Sequence, residues 1–107
     1  MKKYCFDIDG TICNNTWGDY DKAIPFIDRI NKINKLYNDG HYIIYFTARG
    51  MGKCSGNVAC VYNMWYNITY KQLNKWECKY HELILGKPHA DYFIDDKGIS
   101  DHEFFRN

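Results

Sequence analysis

The chain has no long apolar run, no CxxC pair and no surplus of one charge. Fourteen Lys and Arg stand against thirteen Asp and Glu, a formal net charge of +1. No basic stripe is present to track a nucleic-acid backbone, and no acidic block to form a tail. The longest apolar runs span a handful of residues, whereas a membrane helix needs about 20. Neither nucleic acid nor membrane is therefore an expected partner. Met1-Lys2-Lys3 leads into a stretch carrying two acids, where a signal peptide would carry an uncharged apolar segment. The expected location is cytoplasmic.

The five cysteines, Cys5, Cys13, Cys54, Cys60 and Cys78, are odd in number and lack metal-ligand spacing. Zinc is not expected, and free, reduced thiols are. At 107 residues the chain is expected to form a single domain, 1–107, with one buried core.

What is present begins at Tyr4-Cys5-Phe6-Asp7-Ile8-Asp9-Gly10-Thr11. It reads as a short buried strand, about 4–8, that stops in two carboxylates and a glycine. Residues i and i+2 of an extended chain point the same way, so Asp7 and Asp9 can face one site. Two acids there repel unless a cation or a shared proton relieves them. Three later hydrophobic runs also end in chemically capable residues. Tyr42–Phe46 ends in Thr47-Ala48-Arg49, Leu83–Leu85 in Gly86-Lys87-Pro88, and Tyr92–Ile94 in Asp95-Asp96-Lys97. In an open parallel sheet such strand ends share the edge where ligands bind.

Between the strands, apolar residues at three- and four-residue steps predict a helix over 22–38, with Ile24, Ile27, Ile30 and Ile33 inward and Pro25 in its first turn. A second helix is predicted over 57–75, capped by Asn57, with Val58, Val61, Trp65, Ile68 and Gln72 sharing a face. Ser100 with Glu103 has the pattern of a capping box for a short final helix. Strands alternating with helices imply an α/β fold with a parallel sheet.

The order and spacing of the four strand ends resemble the haloacid dehalogenase superfamily of phosphohydrolases over about residues 3–99. Asp7-Ile8-Asp9-Gly10-Thr11 is similar to its first motif, Thr47 to the second, Lys87 to the third and Asp95-Asp96 to the fourth. Gly18-Asp19-Tyr20, Thr47-Ala48-Arg49 with Met51, Gly56-Asn57 and Gly86-Lys87-Pro88 further resemble the small capsule-biosynthesis phosphatases of bacteria.

That resemblance implies a three-layer, Rossmann-like sheet in the order 3-2-1-4, with residues 91–94 as the fourth strand beside the first. It implies an uncapped minimal core, because neither 11–21 nor 47–87 leaves room for a cap domain. It assigns Asp7 as nucleophile and Asp9 as general acid and base. Thr47 and Lys87 become phosphoryl contacts, and Gly10, Thr11, Ala48 and Arg49 substrate-binding residues. Mg2+ is the implied cofactor, held by Asp7, Asp9 and one of Asp95 and Asp96. Trp17, Tyr20, Met51, Lys53, His89 and Lys97 are lesser candidates near the mouth.

The implied reaction is hydrolysis of a small phosphomonoester through an aspartyl-phosphate, on a sugar or polyol phosphate of surface-polysaccharide synthesis. A phosphatase of nucleotides or other metabolites is one alternative. A non-enzymatic receiver-like domain that accepts phosphate is another, although receivers place their acid pair first and here the pair is last. An open site also leaves room for a neighbouring subunit in a homo-oligomer.

Overall fold

The computed structural model describes residues 1–106. Three parallel strands, β1 (Lys3–Phe6), β2 (Tyr42–Thr47) and β3 (Glu82–Leu85), lie in the order β1-β2-β3. Helix α1 (Ile27–Asn38) connects β1 to β2, α2 (Val58–Lys75) connects β2 to β3, and α3 (Asp101–Phe104) follows. β2 is a run of aromatic and β-branched residues, which suit a pleated, half-buried surface.

The register pairs Phe6 with Tyr45, Tyr45 with Leu83 and Thr47 with Leu85. With Ile43 these residues form one buried face. Ile30 and Ile33 of α1 and Val61, Thr69 and Leu73 of α2 complete the core against it. Phe104 meets the rings of Tyr4 and Phe6 at 5.8 and 5.4 Å. The helices thus lie on one face, as right-handed crossovers stepping in one direction require.

Cys5, Ile44, Phe46 and Ile84, on the opposite face, are not fully buried. Among the described residues the arrangement therefore has two layers, where three were expected. The expected fourth strand is also absent: residues 91–94 belong to no strand, and Tyr92 and Ile94 are 82% and 93% exposed. The physical reason is chain length. A parallel crossover needs a dozen or more residues, and only residues 86–90 separate Leu85 from Asp91.

Helix α1 starts later than its periodicity suggests. Pro25 forms an antiparallel bridge with Cys13, and the Phe26 amide donates to the Ile12 carbonyl at 2.7 Å. Ahead of it, Tyr20–Lys22 makes only a 3-10 turn. Helix α2 starts as expected, with the Asn57 side chain accepting from the Cys60 amide at 3.0 Å. Its inward side is Val61, Trp65, Thr69 and Leu73, whereas Val58 and Ile68 face solvent. The Ser100 side chain accepts from the Glu103 amide and caps α3. No described helix is long and apolar enough to cross a membrane.

The thiol expectation is corrected as well. Cys54 and Cys60 form a disulfide, leaving Cys5, Cys13 and Cys78 free. Positive φ at Ser55 (52°) and Gly56 (77°) folds the loop back onto the first turn of α2. That brings the two Cα atoms to 5.9 Å, within disulfide range. Such a bond is unusual in a reducing cytoplasm. Thiol titration of the denatured, unreduced chain should count three thiols, and five after reduction. Five before reduction would show the pair open.

Candidate functional site

The site grows out of the end of β1. Ile8, fully buried, anchors the turn, and its carbonyl accepts from the amides of Thr11 and Ile12 at 3.0 and 2.9 Å. Asp7 and Asp9 flank this anchor. Gly10 has φ of +85°, a conformation that L side chains rarely adopt, and its amide donates to the Cys13 carbonyl at 2.8 Å.

Asp7 keeps 36% of its side chain exposed. Its Oδ2 lies 3.4 Å from Lys87 Nζ, and its Oδ1 accepts from the Ile8 amide at 2.8 Å. Lys87 is carried there by the end of β3, where its amide donates to the Thr47 carbonyl at 3.1 Å. Its Nζ also stands 4.5 Å above the Phe93 ring. Burial raises the Asp7 pKa, and Lys87 and the Ile8 amide oppose that rise without cancelling it. The expected neighbours Asp7 and Lys87 therefore do meet, at an accessible strand end.

Asp9 is engaged differently. Arg49 Nε donates to its Oδ2 at 2.9 Å and Nη2 to its Oδ1 at 3.0 Å, a bidentate pair. The Arg49 side chain is 0% exposed and that of Asp9 19%. Arg49 was expected to bind substrate. The structure places it behind Asp9, shut off from solvent. Its Nη1 donates to Gln72 Oε1 at 2.7 Å, and its guanidinium lies 4.8 Å from the Tyr20 ring centre. Tyr20 is held in turn by three contacts. Gln72 Nε2 donates to its carbonyl at 2.7 Å, the Gly50 amide donates to its hydroxyl at 2.9 Å, and Trp65 meets its ring edge-on at 5.1 Å.

Thr47 is buried, and its Oγ1 accepts from the Arg49 amide at 3.1 Å. The Ala48 carbonyl accepts from the Met51 amide, closing the turn that follows β2. The Thr11 carbonyl accepts from Arg29 Nη1, which also pairs with Asp101. Cys13 Sγ sits 3.5 Å from Asp9 Oδ1. Burial pushes this thiol up to about 12, so it is a neutral neighbour and not a competing nucleophile.

The Asp95-Asp96 pair does not join the other acids. Both are exposed, and Asp95 Oδ1 accepts from the Lys97 and Gly98 amides of its own turn. Among the described residues no three His, Cys, Asp or Glu side chains meet in a group that could hold a metal ion. The oxygen donors of Asp7, Asp95 and Asp96 are those a hard cation such as Mg2+ takes. The arrangement brings only the first of these three to the strand end.

Gln72 and Tyr20 are the neighbours that hold Arg49; the sequence marked Tyr20 as a candidate near the mouth and did not reveal its place against Arg49. The available signal for Gln72 was a polar residue on the inward side of a predicted helix. Trp17, with φ of 56° and 93% exposure, lies in the loop whose Gly18 carbonyl accepts from Lys53 Nζ at 3.0 Å.

No protein-family model matches the chain, and no curated protein matches it. A protein from Vibrio cholerae, known from its crystal structure as a structural target, is similar along the whole fold. It is 32% identical, with a TM-score of 0.89, over 97% of this chain and 87% of that one.

Two outcomes follow for stability. The Asp7 pKa is raised in the folded state, so folding holds that proton more tightly. Stability attributable to Asp7 then falls as pH rises from the unfolded value of 3.8 through the folded one. In excess chelator, Asp7→Asn should melt above the wild type at pH 7, and the gap should close below pH ~4. A wild type that melts higher at pH 7 would show that the Lys87 pair outweighs burial. Gly50 has φ of +79°, and a Cβ there would lie 2.2 Å from Trp65 Cδ1. Gly50→Ala should cost about 2 kcal/mol or more in denaturant titration, from left-handed strain and overpacking.

Proposed function

This chain belongs to the same family as the Vibrio cholerae protein, and we propose that it is a phosphomonoesterase of the haloacid dehalogenase type with Asp7 as nucleophile. The observation that carries this reading is the Asp7–Lys87 pair: an accessible carboxylate at one strand end, 3.4 Å from an ammonium delivered by another. Asp9 stands two residues on; of the resembling motif residues, Arg49 pairs with it and Tyr20 covers Arg49.

The chemistry proceeds in two steps. An Asp7 oxygen attacks phosphorus and forms an acyl phosphate, while the leaving alkoxide takes a proton from the Asp9 carboxyl group. Asp9, now a carboxylate, accepts a proton from water as that water attacks phosphorus. The P–O bond to Asp7 breaks, and phosphate leaves with both carboxyl groups restored. Lys87 offsets the charge of two anions brought together at Asp7.

Mg2+ is the cofactor the resemblance implies; of its implied side-chain ligands only Asp7 stands at the strand end, and one of Asp95 and Asp96 would have to move from its exposed turn to join it. When bound it would screen nucleophile from phosphate. The order β3-β2-β1 matches the first three places of a 3-2-1-4 core. Residues 86–90 can span at most about 17 Å, which covers three strand spacings of about 4.8 Å each. Residues 91–96 can therefore cross the carboxyl edge toward Asp7 without building a helical crossover.

The substrate class we assign is a small sugar or polyol phosphate, from the likeness to capsule-biosynthesis phosphatases. Phosphate release from such a monoester should vanish in excess chelator and return with Mg2+. Asp7→Asn should abolish turnover. Rapid-quench intact mass should show transient phosphate on Asp7 in the wild type. Label on Asp95 or Asp96 would sink the mechanism. A persistent phosphorylated Asp7 with no release would favour a receiver-like switch.

A further inference from the structure

Arg49 has a geometry that its expected role does not explain. A guanidinium with no exposed surface cannot reach a substrate anion without abandoning its present partners. Both nitrogens on one side of the fork are taken by Asp9, at 2.9 and 3.0 Å, and Nη1 is taken by Gln72 at 2.7 Å. The Tyr20 ring covers the group at 4.8 Å.

Asp9, by contrast, keeps part of its carboxyl group open. Each of its oxygens accepts one N–H from the fork, and two parallel bonds fix the carboxyl plane in a way one bond cannot. A side chain that hands over and takes back a proton gains from being held in one orientation. Gln72 extends the brace, because its amide ties both Arg49 and the Tyr20 carbonyl to α2.

We infer that Arg49 is a positioning residue that fixes the plane of the Asp9 carboxyl group, itself braced by Gln72 and Tyr20, and that it is not a substrate-binding residue. This rests on the phosphatase reading above, in which Asp9 moves the proton of the leaving group.

Leaving-group dependence separates positioning from other roles. Glycerol phosphate leaves as a poorly stabilised alkoxide and needs that proton, whereas p-nitrophenyl phosphate leaves as a stabilised phenolate and hardly does. Gln72→Leu and Arg49→Met, loaded with Mg2+, should lose turnover on glycerol phosphate on the order of tenfold more than on p-nitrophenyl phosphate. General acid–base catalysis contributes on the order of 100-fold or more, so a partial loss of this size is expected. KM should be little changed for either substrate. Arg49→Lys, which keeps the charge but has a single donor nitrogen in place of the fork, should recover part of the loss.

Because removing a buried cation can unfold the chain, Gln72→Leu, which leaves the Arg49–Asp9 pair in place, carries the test if Arg49→Met does not fold. Equal losses on both substrates with a raised KM would make Arg49 a phosphate contact and overturn the inference. A lowered melting temperature with an unchanged ratio of the two rates would make the brace purely structural and overturn it too. A wild type silent on both substrates would remove the phosphatase reading and this inference with it. An active wild type with unselective variants would remove the inference alone.

Discussion

The buried charge of Arg49 is the constraint to which the rest of this structure answers. Taking a guanidinium out of water costs several kcal/mol unless its donors find partners. Three separate stretches supply them: Asp9 from the turn after β1, Gln72 from the middle of α2, and the Tyr20 ring from the 3-10 turn. The buried Thr47 hydroxyl accepts from the backbone amide of the same arginine. Gly50 must lack a side chain because Trp65 occupies that space, and Trp65 meets Tyr20 edge-on. One cation thus ties the end of β1, the end of β2, the 3-10 turn and α2 to a common geometry.

Much of the fold was legible because strand and helix residues differ in kind. Tyr42–Thr47 could scarcely be anything but a strand, and Ile30 and Ile33 of α1 turn inward at a helical step, whereas Ile24 and Ile27, expected beside them, are exposed. Two misreadings have the same origin, local pattern set against non-local constraint. Tyr92-Phe93-Ile94 has strand composition, yet the five-residue link from Leu85 cannot hold a parallel crossover. Pro25 satisfies the local rule for a first helical turn, yet it pairs with Cys13 instead and pushes the start of α1 to Ile27. The first constraint could have been counted from the sequence. The second depends on a contact that no local rule shows.

The candidate site divides the same way. That Asp7 and Lys87 come together followed from their places at strand ends. The inward course of Arg49 did not, because an arginine in a Gly-rich loop ordinarily points to water. Its burial becomes intelligible only with Gln72, whose inward position on α2 lacks an obvious partner in sequence. The Cys54–Cys60 bond was hidden for a related reason. The loop closes through positive φ at Ser55, a residue with no special liking for that conformation.

The result is a site with a rigid back and an open front. Behind lie Thr47, Arg49 and the braced Asp9, all buried or nearly so. In front lie Asp7 and Lys87, with the exposed Phe93 ring against Lys87. Phe93 is already beneath the Lys87 ammonium, so the front loop and the charge at Asp7 are coupled. On the proposed phosphatase reading, contacts of these exposed side chains with remote parts of a substrate cost the rotamer freedom the side chains lose, and that cost subtracts from binding. The back needs no such ordering, because its partners are fixed before any ligand arrives. On that reading, changes around Phe93 should register mainly in substrate affinity and selection. On the proposed phosphatase reading, changes in the back should register in the rate of the proton-transfer step, since interactions that matter only in the transition state alter turnover rather than affinity.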